Sequence, residues 1–350
     1  MRTARAPGRV TLIGDHTDYN EGLSLPIAVD LFTEATFSEQ ADSFFFGLSS
    51  DQFDEPWEIP LPNDPHESVS RTHINPPEAA LATALVALLA PPAGGHLRVT
   101  STVPVGAGLA SSAAFSVALA LALGHERDAL ALARLDQRAE AASGAHVGLL
   151  DPIAIVDATA GHALCIDFAS PTLERHQVSI PDTGAFMIIH SEASRRLSAS
   201  AYSARRAECD RAAHEIGRPL GRCTLGDLSV LVDPILRRRA RHVITECARV
   251  RDVEQLLGQG DLAGVGEVMS AGHRSLAEDY RVSIPEVDEL VEQLEGIPGV
   301  LGARMSGGGF GGCVIALCEA DSPATDPAYF APRRAWRVSP ANGADVRSVP

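Results

Sequence analysis

The segment PVGAGLASSAA at 104–114 has the residue types that bind phosphate without a basic side chain. Gly106 and Gly108 allow the backbone to approach an anion closely. Ser111 and Ser112 begin a segment with helical character. The first turn of a helix has unpaired N–H groups and a partial positive charge, and a serine there can contact Mg²⁺. A tight turn before a serine-capped buried helix would use the same residues, so this segment alone leaves both interpretations open.

The absence of lysine restricts how the chain can handle phosphate. All 29 side chains counted as lysine plus arginine are arginine, which is typical of a codon bias in the genome. A Schiff-base lysine, a G-x-x-x-x-G-K-[ST] loop and a protein-kinase lysine on a third strand are therefore excluded. A glycine- and serine-rich loop at a helix start needs none of these.

A second group of polar residues lies in GRVTLIGDHTDYNEG at 8–22. Asp15, His16 and Asp18 follow Arg9 within ten residues. Carboxylates and an imidazole exchange hydrogen bonds well with the hydroxyls of a polyol. A polar Asx-type turn is the alternative. Metal binding by these residues has no matching second cluster in the sequence.

Two carboxylates are candidates for proton transfer or metal binding. Asp151, in GLLDP at 148–152, is predicted as a semi-buried base or as a cap before Pro152. Glu140 lies on a predicted helix, where a solvated face is the ordinary interpretation.

The glycine-rich segment SGGGFGG at 306–312 formally contains G-x-G-x-x-G, but a strand follows it rather than a helix. That context excludes a dinucleotide-binding fingerprint. The excess of glycine indicates a backbone packed closely against a ligand or another loop.

Composition excludes other classes of function. The formal net charge is −16, which disfavours nucleic-acid partners. Six cysteines occur without a C-x-x-C pair and are predicted to be reduced, mostly buried and not metal-bound. The alanine-rich windows 79–93 and 107–124 indicate buried helices rather than membrane spans, and the first residues lack the apolar core of a signal peptide. The expected location is the cytoplasm.

Alternating strands and helices must position these residues, with a domain boundary near 172–183. Periodicity predicts strands at 9–13, 96–103, 162–168, 187–191 and 313–317, and helices at 78–90, 115–123, 127–143, 201–217, 237–258 and 283–296. Ser283 and Gly296 are predicted to cap the last helix. Residues 62–77 are predicted as a loop and the last 30 residues as irregular.

Five segments resemble motifs of one family, in the same order. The segment at 8–22 resembles the galactokinase signature, and PVGAGLASSAA resembles the phosphate loop of the GHMP kinases (galactokinase, homoserine, mevalonate and phosphomevalonate kinases). GARMSGGGFGGCVIAL resembles their third motif, while AYSARRAEC and RRARHVITECARV resemble galactokinase helices. The resemblance covers roughly 5–30 and 96–318.

The resemblance implies an α/β (α+β) fold of two domains with the active site between them. An N-terminal ribosomal-protein-S5-like domain would span 1–175, and a C-terminal ferredoxin-like α/β domain would span 176–350. It further implies an ATP-dependent sugar 1-kinase that transfers the γ-phosphoryl group to the anomeric hydroxyl of galactose or a related aldose.

The resemblance also assigns roles to individual residues. Asp151 matches the catalytic aspartate, and Arg9 matches the arginine that stabilises the transition state. Ser112 and Glu140 match the Mg²⁺ ligands. The positions that match the sugar site are Asp15, His16, Asp18, Gly148 and Tyr202. The loop around the ATP phosphates comprises Gly106, Ala107, Gly108, Leu109, Ala110, Ser111 and Ser112.

Departures from the family pattern lie mainly on the sugar side. Asp15 stands where the family has glutamate, and Pro152 stands where a polar residue is usual. A shorter carboxylate could admit a longer or modified aldose, so a kinase for such a sugar is one alternative. A sugar- and ATP-binding sensor without catalysis is another, although Arg9, Glu140 and Asp151 are retained. The partners expected are a sugar and a nucleotide, with a monomer or a homodimer left open.

Overall fold

The computed structural model describes residues 1–40, 43, 45–51, 55–60, 77–143, 148–193 and 198–348. The loop predicted at 62–77 lies outside the described residues as far as position 76. The strands are β1 (Arg2–Ile13), β2 (Leu23–Glu39), β3 (Phe45–Ser50), β4 (Trp57–Pro60), β5 (Gly95–Ser101), β6 (His162–Asp167), β7 (Glu174–Ser179), β8 (Gly184–His190), β9 (Val300–Met305), β10 (Cys313–Glu319), β11 (Ala335–Val338) and β12 (Asp345–Ser348). The α-helices are α1 (Pro77–Leu89), α2 (Ser111–Ala122), α3 (Ala129–Ala142), α4 (Leu150–Asp157), α5 (Ser198–Ile216), α6 (Pro234–Gln259), α7 (Leu262–Ser275) and α8 (Pro285–Glu295).

Strand β1 lies inside the first sheet, whose strand order is β12-β1-β2-β5-β3-β4. Strand β2 also pairs with β6, and β6 pairs with β7. Every residue from Ala6 to Ile13 is buried, including Arg9. A strand that is covered on both faces holds its polar side chains in fixed positions, so β1 is a rigid support for Arg9.

Helix α2 is the buried helix of the first sheet and packs on β1, β2 and α4. All residues from Ala113 to Ala122 are buried, as the alanine-rich sequence predicts. The helix begins at Ser111, in agreement with the prediction that the serines begin it, and the continuous apolar run follows from Phe115. In the part of the chain that the structure describes, no helix is both long enough and apolar enough to cross a bilayer.

The second sheet has the order β11-β8-β10-β9, and one of its faces packs with α5, α6 and α8 around a separate core. The buried apolar residues of α7 belong to the core of the first sheet. Strand β10 is buried from Cys313 to Cys318, and it pairs with both β8 and β9. The strand predicted at 313–317 is confirmed, and it extends to Glu319. The domain boundary near 172–183 stays a prediction, and β7 pairs with β6 of the first sheet across those positions.

The last 30 residues are not irregular, contrary to the prediction from their composition. Strand β11 extends the second sheet, and β12 returns to the first sheet, where Arg2 lies opposite Ser348. Each of these strands has four residues. So short a segment shows little periodicity, and the pairing partner determines its structure.

The N-cap of helix α8 lies one residue later than predicted. Ile284 occupies the N-cap position, and Pro285 occupies the first helical position, where its missing N–H costs nothing. Ser283 instead donates a hydrogen bond to Asp288. The prediction of Ser283 as N-cap is wrong, and the prediction of Gly296 as C-cap is confirmed.

Helix α7 crosses β9 at unusually short range because glycines face each other. A Cβ atom at Gly302 would overlap the carbonyl group of Gly266, and one at Gly266 would overlap the carbonyl group of Leu301. Both obstacles are backbone atoms, so no side-chain rotation can relieve the overlap. The close crossing fixes β9 and therefore Arg304, which lies on it.

The substitution Gly302→Ala should therefore lower the free energy of unfolding by about 2 kcal/mol or more, as overpacking in a core does. Gly258→Ala is the matched control. It lies in α6, where a Cβ added at this position would have no atom within 4 Å, and alanine should stabilise that helix by up to about 1 kcal/mol. Urea titration of both variants measures the difference. Equal stability of the two variants would show that the crossing can relax.

Candidate active site

Arg9 joins two predicted site segments through its guanidinium group. Its Nε and Nη2 atoms lie 2.7 and 2.6 Å from Asp151 Oδ1. Its Nη1 donates to the carbonyl oxygen of Gly108 at 2.7 Å. Arg9 is only 6% exposed, so these two acceptors replace most of its lost hydration. Arg9 and Asp151, which the resemblance assigns to one site, are therefore in direct contact.

Asp151 lies in the first turn of α4, a helix that the sequence reading did not predict. A carboxylate is favoured in the first turn because it opposes the helix dipole, and Pro152 is tolerated there. The Asp151 side chain is 32% exposed, so a reactant can approach it from solvent. It is therefore a partly accessible carboxylate held by a buried cation.

The predicted phosphate loop has the backbone that close approach to an anion requires. Gly106 and Gly108 have φ of 74° and 86°, and Ala110 has φ of 57°. Ala107 and Leu109 are buried and anchor the loop, and the Arg9 N–H donates to the Leu109 carbonyl at 3.1 Å. The alternative prediction, a tight turn before a serine-capped helix, is wrong because no serine side chain caps α2.

Helix α2 keeps its first-turn N–H groups without a side-chain cap. Its N-cap residue is Ala110, which has no acceptor to offer. The first turn begins with Ser111 and Ser112, and Ser112 is exposed. These donors and the helix dipole make the start of α2 suitable for an anion, so the loop fits phosphate oxygens without lysine.

Ser112 on α2 and Glu140 on α3 bring a hydroxyl and a carboxylate into contact. Ser112 Oγ donates to Glu140 Oε1. Burial raises the pKa of Glu140, the Ser112 hydrogen bond opposes this, and the Asp151 charge adds to it. Glu140 is 8% exposed, so the interpretation of a solvated helix face is wrong. A hydroxyl and a carboxylate are hard ligands that suit Mg²⁺.

Asp18 and Gly148 are in direct contact. A Cβ at Gly148 would overlap Asp18 Oδ2, so only glycine lets the carboxylate occupy this position. Burial and then the Asp151 charge raise the pKa of Asp18 to about 6. The structure thus places Asp18 and Asp151 within electrostatic reach of each other.

Asp15 belongs to a buried ionic network that connects the two sheets. Its Oδ2 accepts from Arg304 Nη2 at 2.8 Å, and its Oδ1 accepts from the Gly307 N–H at 2.9 Å. Burial raises the pKa of Asp15 to about 6, against the lowering effect of Arg304. Glu246 binds the same guanidinium at 2.9 Å and accepts from the Gly14 N–H. Both oxygens of Asp15 are therefore held by the protein.

His16 lies among aromatic rings from both parts of the chain. Its Nδ1 is 2.9 Å from the Tyr19 hydroxyl, which is 2.7 Å from the Tyr280 hydroxyl. The Tyr202 ring on α5 lies 5.6 Å from the His16 ring. Burial and the nearby His242 lower the pKa of His16 to about 3, so the imidazole is neutral. His16 Nε2 is buried and has no hydrogen-bond partner among the described residues.

Sequence reading missed Arg304, Glu246 and Tyr280 as parts of this region. An arginine inside the apolar strand VLGARM is a signal that could have indicated Arg304. The segment 306–312 does pack against another loop, as its glycines predict. Ser306 Oγ accepts from the Thr11 N–H at 2.9 Å, and Gly307 binds Asp15.

Comparisons with known families agree with this geometry. Residues 78–158 match the profile of the GHMP kinases N terminal domain, and residues 253–328 match GHMP kinases C terminal. Residues 2–39 match the galactokinase galactose-binding signature. The phosphate loop, the buried arginine and the two sheets therefore define a GHMP kinase, with the α/β fold that the sequence predicts.

Comparison with individual proteins shows which family of GHMP kinases this chain resembles. Galactokinase from Mycobacterium bovis is 40% identical over 330 residues, which is 90% of this chain and 88% of that protein. Human galactokinase is 37% identical over 335 residues, which is 91% of this chain and 83% of that protein. Lactococcus lactis galactokinase, solved in complex with galactose, has a TM-score of 0.85 and 27% identity, covering 98% of this chain and 94% of that chain. The chain belongs to the galactokinase family.

Gly148→Ala should lower kcat/KM for the sugar by at least about tenfold, because the new methyl group displaces the Asp18 carboxylate. Gly226→Ala is the matched control, since a Cβ added there would have no atom closer than 3.6 Å. Steady-state kinetics with purified variants measure the effect. Wild-type kinetics in Gly148→Ala would show that the Asp18 position does not matter for turnover.

Proposed function

We propose that this chain is an ATP-dependent galactose 1-kinase. The observation that carries the proposal is the contact of one buried guanidinium, that of Arg9, with both Asp151 and the Gly108 carbonyl. A carboxylate that can take a hydroxyl proton is thereby fixed relative to a loop that can hold phosphate. The galactokinase relatives support galactose as the acceptor.

In the proposed reaction the galactose O1 oxygen attacks the γ-phosphorus of ATP. The bond between that phosphorus and the β–γ bridging oxygen breaks, and ADP leaves. Asp151 accepts the O1 proton or orients the hydroxyl for attack. Arg9 offsets negative charge that develops on the transferred group, in a site where its own position needs no rearrangement. Positioning and charge stabilisation supply most of the catalysis in such transfers.

The residues assigned to ATP and Mg²⁺ have the donor and ligand atoms that phosphate and a divalent cation require. The loop from Gly106 to Ser112 would surround the ATP phosphates with backbone N–H groups. Ser112 and Glu140 would hold Mg²⁺, which supplies charge neutralisation between the phosphates when bound. The hydroxyl and carboxylate of this pair already share a hydrogen bond, so the two oxygens face each other.

For the sugar we assign Asp15, His16, Asp18, Gly148 and Tyr202. His16 Nε2 has no partner in the described part of the chain and is therefore available to a sugar hydroxyl. The Asp18 carboxylate lies near Asp151 because glycine at position 148 admits it. Asp15 positions the loop through Arg304 and Gly307, and each of its oxygens retains a lone pair for a hydroxyl.

The alternatives left open by the sequence are not favoured by the comparisons. Galactokinase relatives that are 37–40% identical over about 90% of the chain favour galactose over a longer aldose. A sensor without catalysis has no need for the Arg9–Asp151 pair or the Ser112–Glu140 pair, and both pairs are assembled.

A panel of aldoses with ATP and Mg²⁺, read by ADP release, tests the proposal. Galactose should give the highest kcat/KM, and Asp151→Asn should lower kcat by about 10³-fold while galactose binding stays measurable by calorimetry. Asp157→Asn is the matched control, because Asp157 lies on the same helix and also pairs with an arginine, Arg175. A higher kcat/KM for another aldose, or normal turnover by Asp151→Asn, would contradict the assignment.

The pH dependence of KM follows from the carboxylates of the sugar site. Asp15 and Asp18 both have a pKa of about 6, so they lose their charge as the pH falls from 7.5 to 5. KM for galactose should therefore rise several-fold over this interval. Asp18→Asn should have a higher KM at pH 7.5 and a smaller further rise on acidification.

The Asp18 contribution to folding stability should increase as the pH falls, although galactose binding becomes weaker. The native-state pKa of Asp18 lies above its value of 3.8 in the unfolded chain, so the native state binds more protons between pH 4 and about 6. The contribution of this group to stability therefore falls as the pH rises through that window. Thermal melts of wild type and Asp18→Asn at pH 5 and 7.5 measure it. A variant that loses as much stability as wild type between those two pH values would contradict the Asp18 assignment.

A further inference from the structure

Three metal-ligating side chains meet outside the proposed active site, where β6 and β7 lie beside α6. Cys165 and His176 are directly opposite each other in the antiparallel β6–β7 pair. Glu254 comes from α6, which packs on β7. The Cys Sγ atom, a His ring nitrogen and a carboxylate oxygen all lie within 4.8 Å of one another.

Hydrogen bonds already draw the three groups together. His176 Nε2 lies 2.6 Å from Glu254 Oε1, and the Cys165 thiol lies 3.9 Å from Glu254 Oε2. Cys165 is buried, whereas the His176 and Glu254 side chains are 58% and 37% exposed. The cluster therefore has one ligand in the protein interior and an open side toward solvent.

We infer that Cys165, His176 and Glu254 form a zinc site, with water as the fourth ligand. This inference differs from the expectation from sequence that the cysteines bind no metal. It is independent of the proposed sugar kinase activity, because none of the three residues contacts Arg9, Asp151 or the phosphate loop in the hydrogen bonds and ion pairs of the described residues.

The donor set selects zinc among common divalent ions. Thiolate, imidazole and carboxylate are the three ligand types of zinc sites, whereas Mg²⁺ and Ca²⁺ prefer oxygen alone. Tetrahedral zinc at about 2.0–2.3 Å from each ligand places neighbouring donors about 3.5 Å apart. The Cys165–Glu254 separation needs little change, and the His176–Glu254 pair must open by about 1 Å.

Zinc binding here exchanges a proton for the metal. A cysteine binds zinc as the thiolate, so the Cys165 thiol proton is released when the S–Zn bond forms. Affinity should consequently weaken as the pH falls.

Zinc bound to Cys165, His176 and Glu254 would connect the first sheet to helix α6. Strands β6 and β7 belong to the first sheet, and α6 also carries Glu246, which binds Arg304 and the Gly14 N–H. Zinc would tie the edge of the first sheet to the helix that holds the Asp15 network in place.

Zinc titration of the EDTA-stripped full chain, in competition with a chromogenic chelator, tests the site. We expect one zinc ion per chain and at least tenfold weaker binding in both Cys165→Ser and His176→Gln. Cobalt should give the visible bands of a tetrahedral thiolate complex, and these should disappear in Cys165→Ser.

Two control variants separate this site from incidental binding. Cys223→Ser removes a partly exposed thiol outside the cluster, and His162→Gln removes the histidine at the start of β6. Both should bind zinc like wild type. His176→Gln changes a largely exposed side chain, so it tests the site even if Cys165→Ser fails to fold. Absence of stoichiometric zinc binding by wild type, or unchanged affinity in His176→Gln, would overturn the inference.

Discussion

A positive charge buried at Arg9 is the constraint on which the rest of the structure depends. A guanidinium that is 6% exposed must be compensated, because an unpaired buried charge costs several kcal/mol. Asp151 and the Gly108 carbonyl provide the compensation, and they come from α4 and from the loop before α2. The site is therefore assembled when β1, α2 and α4 fold together into one buried unit. The site is organised before any reactant binds, which lowers the reorganisation needed for transfer.

A second buried charge, on Arg304, connects the two sheets. It lies on β9 of the second sheet and binds Asp15, at the end of β1, together with Glu246 of α6. Arg249 binds the other oxygen of Glu246 at 2.7 Å, so two cations face two carboxylates. Burial opposes ionisation of Glu246, but Arg304 and Arg249 outweigh it and hold the pKa of that carboxyl well below its usual range. Charge balance of this kind fixes Asp15, one of the residues proposed to bind the sugar, in one arrangement.

Local sequence predicted the parts of the site whose residues are neighbours in the chain. The loop from Gly106 to Ser112 and the Arg9 segment were recognisable because glycine, serine and polar spacing have local causes. Arg304 was not predicted, because its partner Asp15 is 289 residues away and nothing local marks the contact. Periodicity places six of the helices to within a few residues, but it does not predict α4 or α7, nor the strands β7, β9, β11 and β12. Helical periodicity places Glu140 on a solvated face, but the side chain is buried because α3 packs on other elements, which the local sequence does not reveal.

The pairing of β12 with β1 has a consequence for biosynthesis. Strand β1, Arg2–Ile13, leaves the ribosome long before Asp345–Ser348, the strand that covers its outer edge. During translation the edge of the nascent sheet therefore exposes unpaired N–H and C=O groups that can pair with another chain. A chain truncated just before β12 would retain Arg9, Asp151 and the other proposed site residues but would expose this edge permanently. Strand β12 thus covers the edge beside Arg2–Arg5 only once residues 345–348 have been made.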